Sequence, residues 1–325
     1  MLILVNVGAK QFAPFLYMQL KLRLILLLFG LLLAALSNYF TVADTDQFKL
    51  LISTMILFGV PHGALDLYIE GKNIHSTEQK DRKILLKYLL NIAAYALLWY
   101  ISPLTSLCFF IIITAFHFGE IDWIGKSDTW VQKGAYFILG LCWILYFLSV
   151  NVLSALKIFV YLGSSNVSEQ QWIDLAADLS PYVLGMMILL HVLFIIKSTY
   201  FYFQSSHAFI AVFQFLVLLF ICHSSSLWIG FGFYFGLWHS LLSFDKIRVS
   251  FNMPDTTSSW THLLKQALPF SLMAWIGMLF VMFMFYSSQN ATSLVSLLFI
   301  TLSVLTLPHL QVFTKLKTNQ VVSKG

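Results

Sequence analysis

Long apolar runs, separated by short polar segments, follow one another along almost the whole chain. An α-helix needs about 20 apolar residues to cross the hydrocarbon core of a bilayer, and ten runs approach that length. The predicted spans lie near residues 22–41, 48–69, 84–101, 103–121, 133–150, 182–199, 207–222, 226–243, 265–286 and 291–312. The pattern predicts an all-α fold, a polytopic transmembrane helical bundle that forms a single membrane domain over residues 1–325.

Shorter segments complete this picture. Val152–Gly163 is apolar but too short to cross a bilayer, and we interpret it as a re-entrant or interfacial helix. The polar stretches Ser164–Pro181 and 252–261 are predicted loops. The basic and then apolar segment Lys21–Ser37 is similar to a signal peptide, but no A-x-A site follows it, so we predict a retained first helix.

Composition supports the membrane class. The 325 residues are 59% hydrophobic, and mean hydropathy is +0.82. Only 10% are charged, against about 25% in soluble domains. The formal net charge is +5, but the basic residues lie in short segments between apolar runs, so topology explains them and no nucleic-acid partner is predicted. The three cysteines lie in apolar runs without CxxC spacing and are interpreted as packing residues.

Basic residues concentrate in alternate loops, which predicts an orientation. They precede the first predicted span and follow the second, fourth, sixth, eighth and tenth. Lys246 and Arg248 are the basic residues assigned to the loop after the eighth span. Positive charge in short loops stays on the cytoplasmic side. We therefore predict cytoplasmic termini, even-numbered helices that run inward, and a multi-pass protein of the plasma or inner cell membrane.

Four of the nine histidines lie on even-numbered predicted spans: His62, His117, His239 and His309. The next basic residue follows them after 10, 9, 7 and 6 residues, respectively. At about 1.5 Å per residue, their predicted depths differ by only about 6 Å. Neutral imidazole suits iron, zinc and copper, and ionisable groups inside spans are costly unless they are functional. We predict that these four histidines bind one metal; the alternative is four separate hydrogen-bonded histidines.

The remaining histidines differ in their positions. His75, His223 and His262 are predicted loop or helix-end residues, and His191 is interpreted as a hydrogen-bonding residue within the sixth span. His207 begins the seventh span on the predicted cytoplasmic side, which makes it a candidate pocket residue.

Carboxylates closely follow two of the four histidines. Asp66 lies four residues after His62, while Glu120 and Asp122 lie three and five residues after His117. A ligating histidine usually donates its second N–H to a carboxylate or carbonyl, so we predict that these acids orient the ligands. Alternatively, they cap the inner helix ends or pair with loop lysines.

Prolines and aromatic residues surround the histidines. Pro61 and Pro308 each precede one of them, and we expect both prolines to break their helices locally. Phe, Trp and Tyr make up 17% of the chain, and a row that includes Trp238 runs up to His239. Most of these rings are expected to face lipid or pack between helices, and some to line a tunnel for a long apolar polyene.

Four motifs contain these histidines: GVPHGALD over 59–66, FHFG over 116–119, LWHS over 237–240 and LPH over 307–309. In order and spacing, with Asp122 after the second motif, they resemble the Brp/Blh family of bacterial and archaeal β-carotene 15,15′-dioxygenases over about residues 45–315. The resemblance implies a membrane enzyme with histidine-bound Fe(2+). It implies cleavage of the central double bond of β-carotene, or a related apolar polyene, with O2 to give two retinals. Functional coupling to a microbial rhodopsin is implied as well.

One position departs from the family pattern. In the family, a second histidine follows the histidine of the WHS motif by four residues, and here Ser243 occupies that place. A serine hydroxyl is a poor iron ligand. Three alternatives stay open: His309 or His207 completes the site, the site has three histidines, or the activity or substrate differs.

Rival classes predict other features. A desaturase or hydroxylase would need HxxxH or HxxHH boxes, which the chain lacks. A bis-histidine haem protein would use the four histidines as two axial pairs. A transporter would show internal repeats or charges at mid-depth, and we find neither. The main alternatives are a non-catalytic membrane protein that binds or delivers carotenoid or retinal, and an enzyme that cleaves a different carotenoid.

Overall fold

A computed structural model of the protein describes residues 2–73, 78–122, 129–161, 168–202, 205–284 and 291–313. These ranges form fourteen α-helices, interrupted twice by π-helical segments at Met55–Gly59 and Gly232–His239. The helices are α1 (Leu2–Tyr39), α2 (Asp44–Thr54), α3 (Val60–Gly63), α4 (Asp66–Asn73), α5 (Glu78–Ile101), α6 (Pro103–Asp122), α7 (Trp130–Val150), α8 (Val152–Tyr161), α9 (Glu169–Tyr202), α10 (Ser205–Ser224), α11 (Leu227–Phe231), α12 (Ser240–Ser250), α13 (Thr257–Met284) and α14 (Ala291–Phe313).

Within the described ranges, eight helical stretches are long and apolar enough to cross a bilayer. They are Leu20–Tyr39, Asp44–Glu70, Arg82–Ile101, Pro103–Asp122, Lys133–Val150, Gln170–Leu193, Leu227–Ser250 and Thr257–Phe280. Two shorter apolar stretches, Ile210–Ser224 and Phe299–Phe313, coincide with the seventh and tenth predicted spans. The predicted all-α, polytopic bundle is confirmed.

Helices α9 and α13 both begin inside segments that were predicted as loops, 164–181 and 252–261, and those predictions were wrong there. A capping box explains the early start of α9. The Ser168 N–H donates to Gln171 Oε1 at 2.8 Å, and the Gln171 N–H donates to Ser168 Oγ at 3.3 Å. Such reciprocal bonds satisfy free N–H groups of the first turn and allow a polar stretch to begin a helix.

Two basic residues that were assigned to a loop lie inside α12 instead. Lys246 and Arg248 are buried, so that assignment was wrong. Both cations have acidic partners: Lys246 Nζ lies 2.8 Å from Glu120, and Arg248 Nη2 lies 2.6 Å from Asp245. Paired in this way, the charges are retained in the protein interior and need not mark a loop. The orientation of the chain stays a prediction.

The two prolines beside histidines do not break their helices as expected. Pro308 lies inside α14, and Pro61 lies inside α3. Proline has no N–H to donate, and the chain widens to a π helix just before Pro61, where the Val60 N–H donates to Met55 O. The helix is interrupted only at Ala64–Leu65, where the chain forms a turn.

Helices α6 and α7 pack backbone against backbone. A Cβ on Gly119 would lie 1.8 Å from Tyr136 O, and a Cβ on Gly140 would lie 1.8 Å from Ala115 O. Only glycine permits such an approach, which is the usual role of small residues between membrane helices. The contact holds the part of α6 that carries His117.

The substitution Gly140→Ala is expected to lower the free energy of unfolding by about 2–4 kcal/mol, because the new methyl group meets backbone that cannot rotate away. Gly134→Ala on the same helix is the matched control, since nothing lies within 4 Å of its added Cβ. Denaturant titration of both variants in detergent tests this. Equal stability of the two variants would contradict the close contact.

Candidate metal centre

The structure brings four histidines from four separate helical segments together. His62 lies on α3, His117 on α6 and His309 on α14, while His239 ends the second π-helical segment. All four side chains are buried. The His117 ring centroid lies 4.6 Å from that of His239 and 4.9 Å from that of His309. The His62 centroid lies 4.9 Å from that of His309 and 5.3 Å from that of His239.

Their nitrogen atoms face one another. The His309 Nδ1–H donates to Asp66 Oδ1 at 2.8 Å, so His309 Nε2 carries the free lone pair. That Nε2 lies 3.1 Å from His117 Nε2. One ring nitrogen each from His62, His117 and His309 lies within 4.8 Å of the other two. The His239 ring packs beside this group of three.

The donor set fits a metal ion. Three buried nitrogens have no hydrogen-bond partner among the described residues: Nδ1 of His62, Nδ1 of His117 and Nε2 of His239. Leaving such an atom unsatisfied costs about 1–3 kcal/mol. One nitrogen each of His62, His117 and His309 lies within 4.8 Å of the other two, which is the arrangement that a single bound ion needs. Neutral imidazoles are suitable ligands for iron, zinc or copper. The carboxylate behind His309 is the usual outer partner of a metal-bound imidazole.

Asp66 contacts a different histidine from the one nearest to it in sequence. Its Oδ1 accepts from His309, and its Oδ2 accepts from the Tyr88 hydroxyl at 3.0 Å. The turn at Ala64–Leu65 interrupts the helix after His62, so a spacing of four residues no longer stacks the two side chains. Sequence reasoning missed Tyr88, which lies on α5 and has no motif around it.

Asp122 does not face the ring of His117. Five residues turn a helix by about 500°, which directs the two side chains about 140° apart. The Asp122 carboxylate accepts hydrogen bonds from the Tyr234 hydroxyl and, at 2.7 Å, from Trp238 Nε1. Trp238, a predicted pocket residue, therefore binds this carboxylate, and Asp122 supports the segment that carries His239. The predicted role of Asp122 toward the ligands stays a prediction.

A buried arginine extends this polar network to α1 and α10. Arg23 donates to Ile121 O at 2.7 Å and to Gln214 Oε1 at 2.6 Å, and Gln214 Nε2 donates to Asp122 O at 2.9 Å. These bonds satisfy carbonyls at the end of α6. Sequence reasoning gave Arg23 no role beyond the charge at the start of the first span, and it overlooked Gln214. The available signal was a polar side chain at the edge of, or inside, an apolar run.

Glu120 forms an ion pair on one side of the histidine cluster. It pairs with Lys246, whose Nζ lies 4.3 Å from the centroid of the Phe313 ring, and that centroid lies 4.7 Å from that of His117. Glu120 thus takes the lysine-pairing alternative, although its lysine lies in a helix. The histidines are therefore separated from this side by a buried ion pair and an aromatic ring.

Ser243 lies one helical turn after His239, fully buried, and its hydroxyl has no hydrogen-bond partner among the described residues. Of the two histidines proposed to complete the site, His309 lies with His62, His117 and His239, with its ring centroid 4.9 Å from those of His62 and His117. The other candidate, His207, lies outside the residues whose side chains the structure describes.

An apolar cavity adjoins the histidines. Its empty space, including the open mouth, is about 1110 Å³. It is lined by Leu51, Met55, Leu107, Phe110, Ile111, Thr114, Phe118, Trp143, Ile144, Phe147, Leu148, Ala155, Cys222, Leu227, Trp228, Phe231, Tyr234, Phe299 and Leu302. The Phe118 ring centroid lies 4.6 Å from that of His239. Phe231 stacks on Phe235, which stacks on His239, at 5.5 and 5.7 Å between centroids. Aromatic rings therefore connect the cavity to the histidines.

Fold and site together define a polytopic membrane protein with a buried cluster of four histidines beside a hydrocarbon-lined cavity. The family model described as Beta-carotene 15,15'-dioxygenase matches residues 53–317. The chain belongs to that family, as the histidine motifs predicted.

A curated relative supports the same family over a shorter stretch. The chain is 41% identical over 73 residues to the Beta-carotene 15,15'-dioxygenase of Uncultured marine bacterium 66A03, which covers 22% of this chain and 26% of the relative. The aligned stretch thus spans about a quarter of that relative. No solved structure matches the chain.

Replacing His309 with Ala is expected to remove bound metal, because His309 belongs to the closest group of ring nitrogens. His191→Ala is the matched control. Its Nδ1 is already hydrogen-bonded to Met187 O at 2.8 Å, and its ring stacks on Phe215 away from the centre. Elemental analysis of both purified variants tests this. Equal metal content, with both proteins folded, would exclude His309 as a ligand.

The substitutions Asp66→Asn and Asp122→Asn should act differently. Asp66 contacts a candidate ligand directly, so its replacement is expected to lower metal affinity about 10–100-fold. The buried Asp122 carboxylate accepts hydrogen bonds from Tyr234 and Trp238, so its replacement is expected to cost about 1.5–3 kcal/mol of stability, with a smaller change in metal affinity of the folded protein. Metal titration combined with thermal unfolding separates the two effects. Identical profiles would refute the distinction.

Proposed function

We propose that the protein binds iron(II) through the histidine centre and uses O2 to cleave the central double bond of β-carotene, giving two molecules of retinal. The observation that carries this proposal is the position of a buried histidine cluster next to a hydrocarbon-lined cavity, with Phe118 lining the cavity and packing on His239. A polyene bound in that cavity would have its chain beside the imidazole rings. Membership of the beta-carotene 15,15'-dioxygenase family supports the same substrate and reaction.

His62, His117 and His309 are the residues proposed to hold the iron, with His239 as the fourth member beside them. Bound iron(II) would supply open coordination positions for oxygen. The Asp66 carboxylate holds the His309 ring with its Nε2 lone pair toward the centre. Neutral imidazoles add no negative charge, so a bound iron(II) would keep its positive charge.

The cavity performs the remaining tasks of binding, orientation and water exclusion. Its lining is almost wholly hydrocarbon and aromatic, which suits a long apolar chain and excludes water from the reacting bond. Phe118 lines the cavity and packs on His239, so it forms the surface nearest to the histidines against which the polyene chain would lie. Scission of one C=C bond by one O2 molecule yields two C=O groups, so both oxygen atoms enter the two retinals.

Both substrate and product suit a protein within the bilayer. β-Carotene is dissolved in the lipid and would reach the cavity laterally. Retinal released into the same bilayer would be available to a membrane opsin, which is the basis for the proposed coupling to a microbial rhodopsin. The proposed location is the plasma or inner cell membrane.

Expression in bacterial cells that accumulate β-carotene tests the proposal. The unmutated protein should bleach the orange colour and produce retinal, and the His117→Ala variant should leave the carotene intact. Pigment and retinal are quantified after extraction, with both proteins verified in the membrane. Unchanged carotene with the unmutated protein would refute the reaction. Carotene or retinal that co-purified without turnover would instead indicate a binding or delivery protein.

A further inference from the structure

The cavity lies on one side of the histidine layer only. On α6, α14 and the segments around α2 and α11, the lining residues precede the histidine of their own segment, with Phe118 as the single exception, next to His117. The four histidine-bearing segments therefore enter the layer from the same side, and the cavity fills the space between their N-terminal parts. We call the region around Leu107 and Phe299 the far end of the cavity.

The depth of the cavity follows from helix geometry. Leu107 precedes His117 by ten residues, and Phe299 precedes His309 by ten. At about 1.5 Å per residue, the far end lies about 15 Å from the histidine layer on both helices. Two independent helices thus give the same depth, which indicates an elongated cavity perpendicular to the layer.

The opposite side of the layer is charged. The Glu120–Lys246 ion pair lies there, and the Asp245–Arg248 pair follows on the same helix as Lys246. An apolar chain placed against these buried charges would replace polar contacts of the charges, which costs free energy. The half of an apolar ligand that enters the cavity therefore ends at the histidine layer, and the rest of the ligand cannot continue straight through the layer.

Building on the proposed function, we propose that this cavity measures one half of the polyene and thereby sets which double bond is cut. An unsubstituted hydrocarbon end ring lies at the far end, and the chain extends from it to the histidines. The bond that reaches His239 and His117 is then determined by the distance between the far end and the layer. Leu107, Ile111 and Phe299 are the specificity-determining residues, because their size limits how deeply the ring enters.

Two matched pairs on α6 test the inference. Ile111→Trp fills the cavity about 6 Å nearer to the histidines than Leu107→Trp does, since the positions are four residues apart. Ile112→Trp and Leu104→Trp are the controls, because those side chains are 52% and 59% exposed on the outside of the same helix. All four variants are expressed in β-carotene-accumulating cells, and the aldehydes are separated by chromatography and identified by mass.

The cavity variants should change the products. A ring held nearer to the layer presents a bond closer to itself, so Ile111→Trp should give a ring-bearing aldehyde shorter than retinal, together with a longer apocarotenal. Leu107→Trp should produce a smaller shift, and both controls should yield retinal alone. Retinal as the sole product of both cavity variants, at about the unmutated rate, would overturn the inference. Absence of any aldehyde from the unmutated protein would instead refute the proposed function.

A readout without turnover covers variants that form no product. In the His117→Ala background, carotenoid retained by the purified protein is measured from its visible absorption. Adding Ile111→Trp should lower the retained carotenoid about tenfold or more, the scale expected from overpacking a filled cavity, whereas adding Ile112→Trp should not change it. Equal retention in the two double variants would overturn the inference.

Discussion

The constraint on which the structure depends is the burial of four imidazoles inside an apolar helical bundle. A buried ring nitrogen without a partner is costly, so the helices that carry His62, His117, His239 and His309 cannot be placed independently. The fold satisfies one of them through Asp66, faces His117 and His309 toward each other, and leaves three nitrogens for a further ligand. A metal ion would bind the convergent ring nitrogens of His62, His117 and His309, which makes stability and chemistry depend on the same contacts.

Precise approach of the helices makes this arrangement possible. The α6–α7 contact requires glycine, since any Cβ at Gly119 or Gly140 would overlap a backbone carbonyl. A second close contact lies between the end of α2 and the second π-helical segment, where a Cβ on Gly236 would lie 2.5 Å from Thr54 Oγ1. The first π segment immediately precedes α3, which carries His62, and the second π segment ends at His239. The wider π turns shift the register of the helix and so change the direction in which the following histidines point.

One side of the histidine layer is apolar and the other is charged, and this difference determines from which side an apolar ligand can approach. One side is a hydrocarbon cavity whose aromatic rings extend to His239. The other side holds buried ion pairs. Asp122 joins α1, α6 and the second π segment, because its backbone carbonyl accepts from Arg23 and its carboxylate accepts from Trp238. The ion pairs keep these charges in the protein interior. An apolar ligand is thereby restricted to one direction of approach, while the ligating rings are held from the other.

The amino-acid sequence alone determined the class of the protein, the helical spans and the four histidines, because apolar length and the cost of a polar group in a membrane are local properties of the chain. It also indicated the family through motifs around those histidines. Only the tertiary structure decided the partners. Asp66 binds His309 rather than its neighbour, Glu120 binds Lys246, and Tyr88, Arg23 and Gln214 join the site from helices without motifs. The side and depth of the cavity were likewise decided there. Such contacts depend on helix rotation, π turns and crossing points, which are set by packing between segments far apart in the chain.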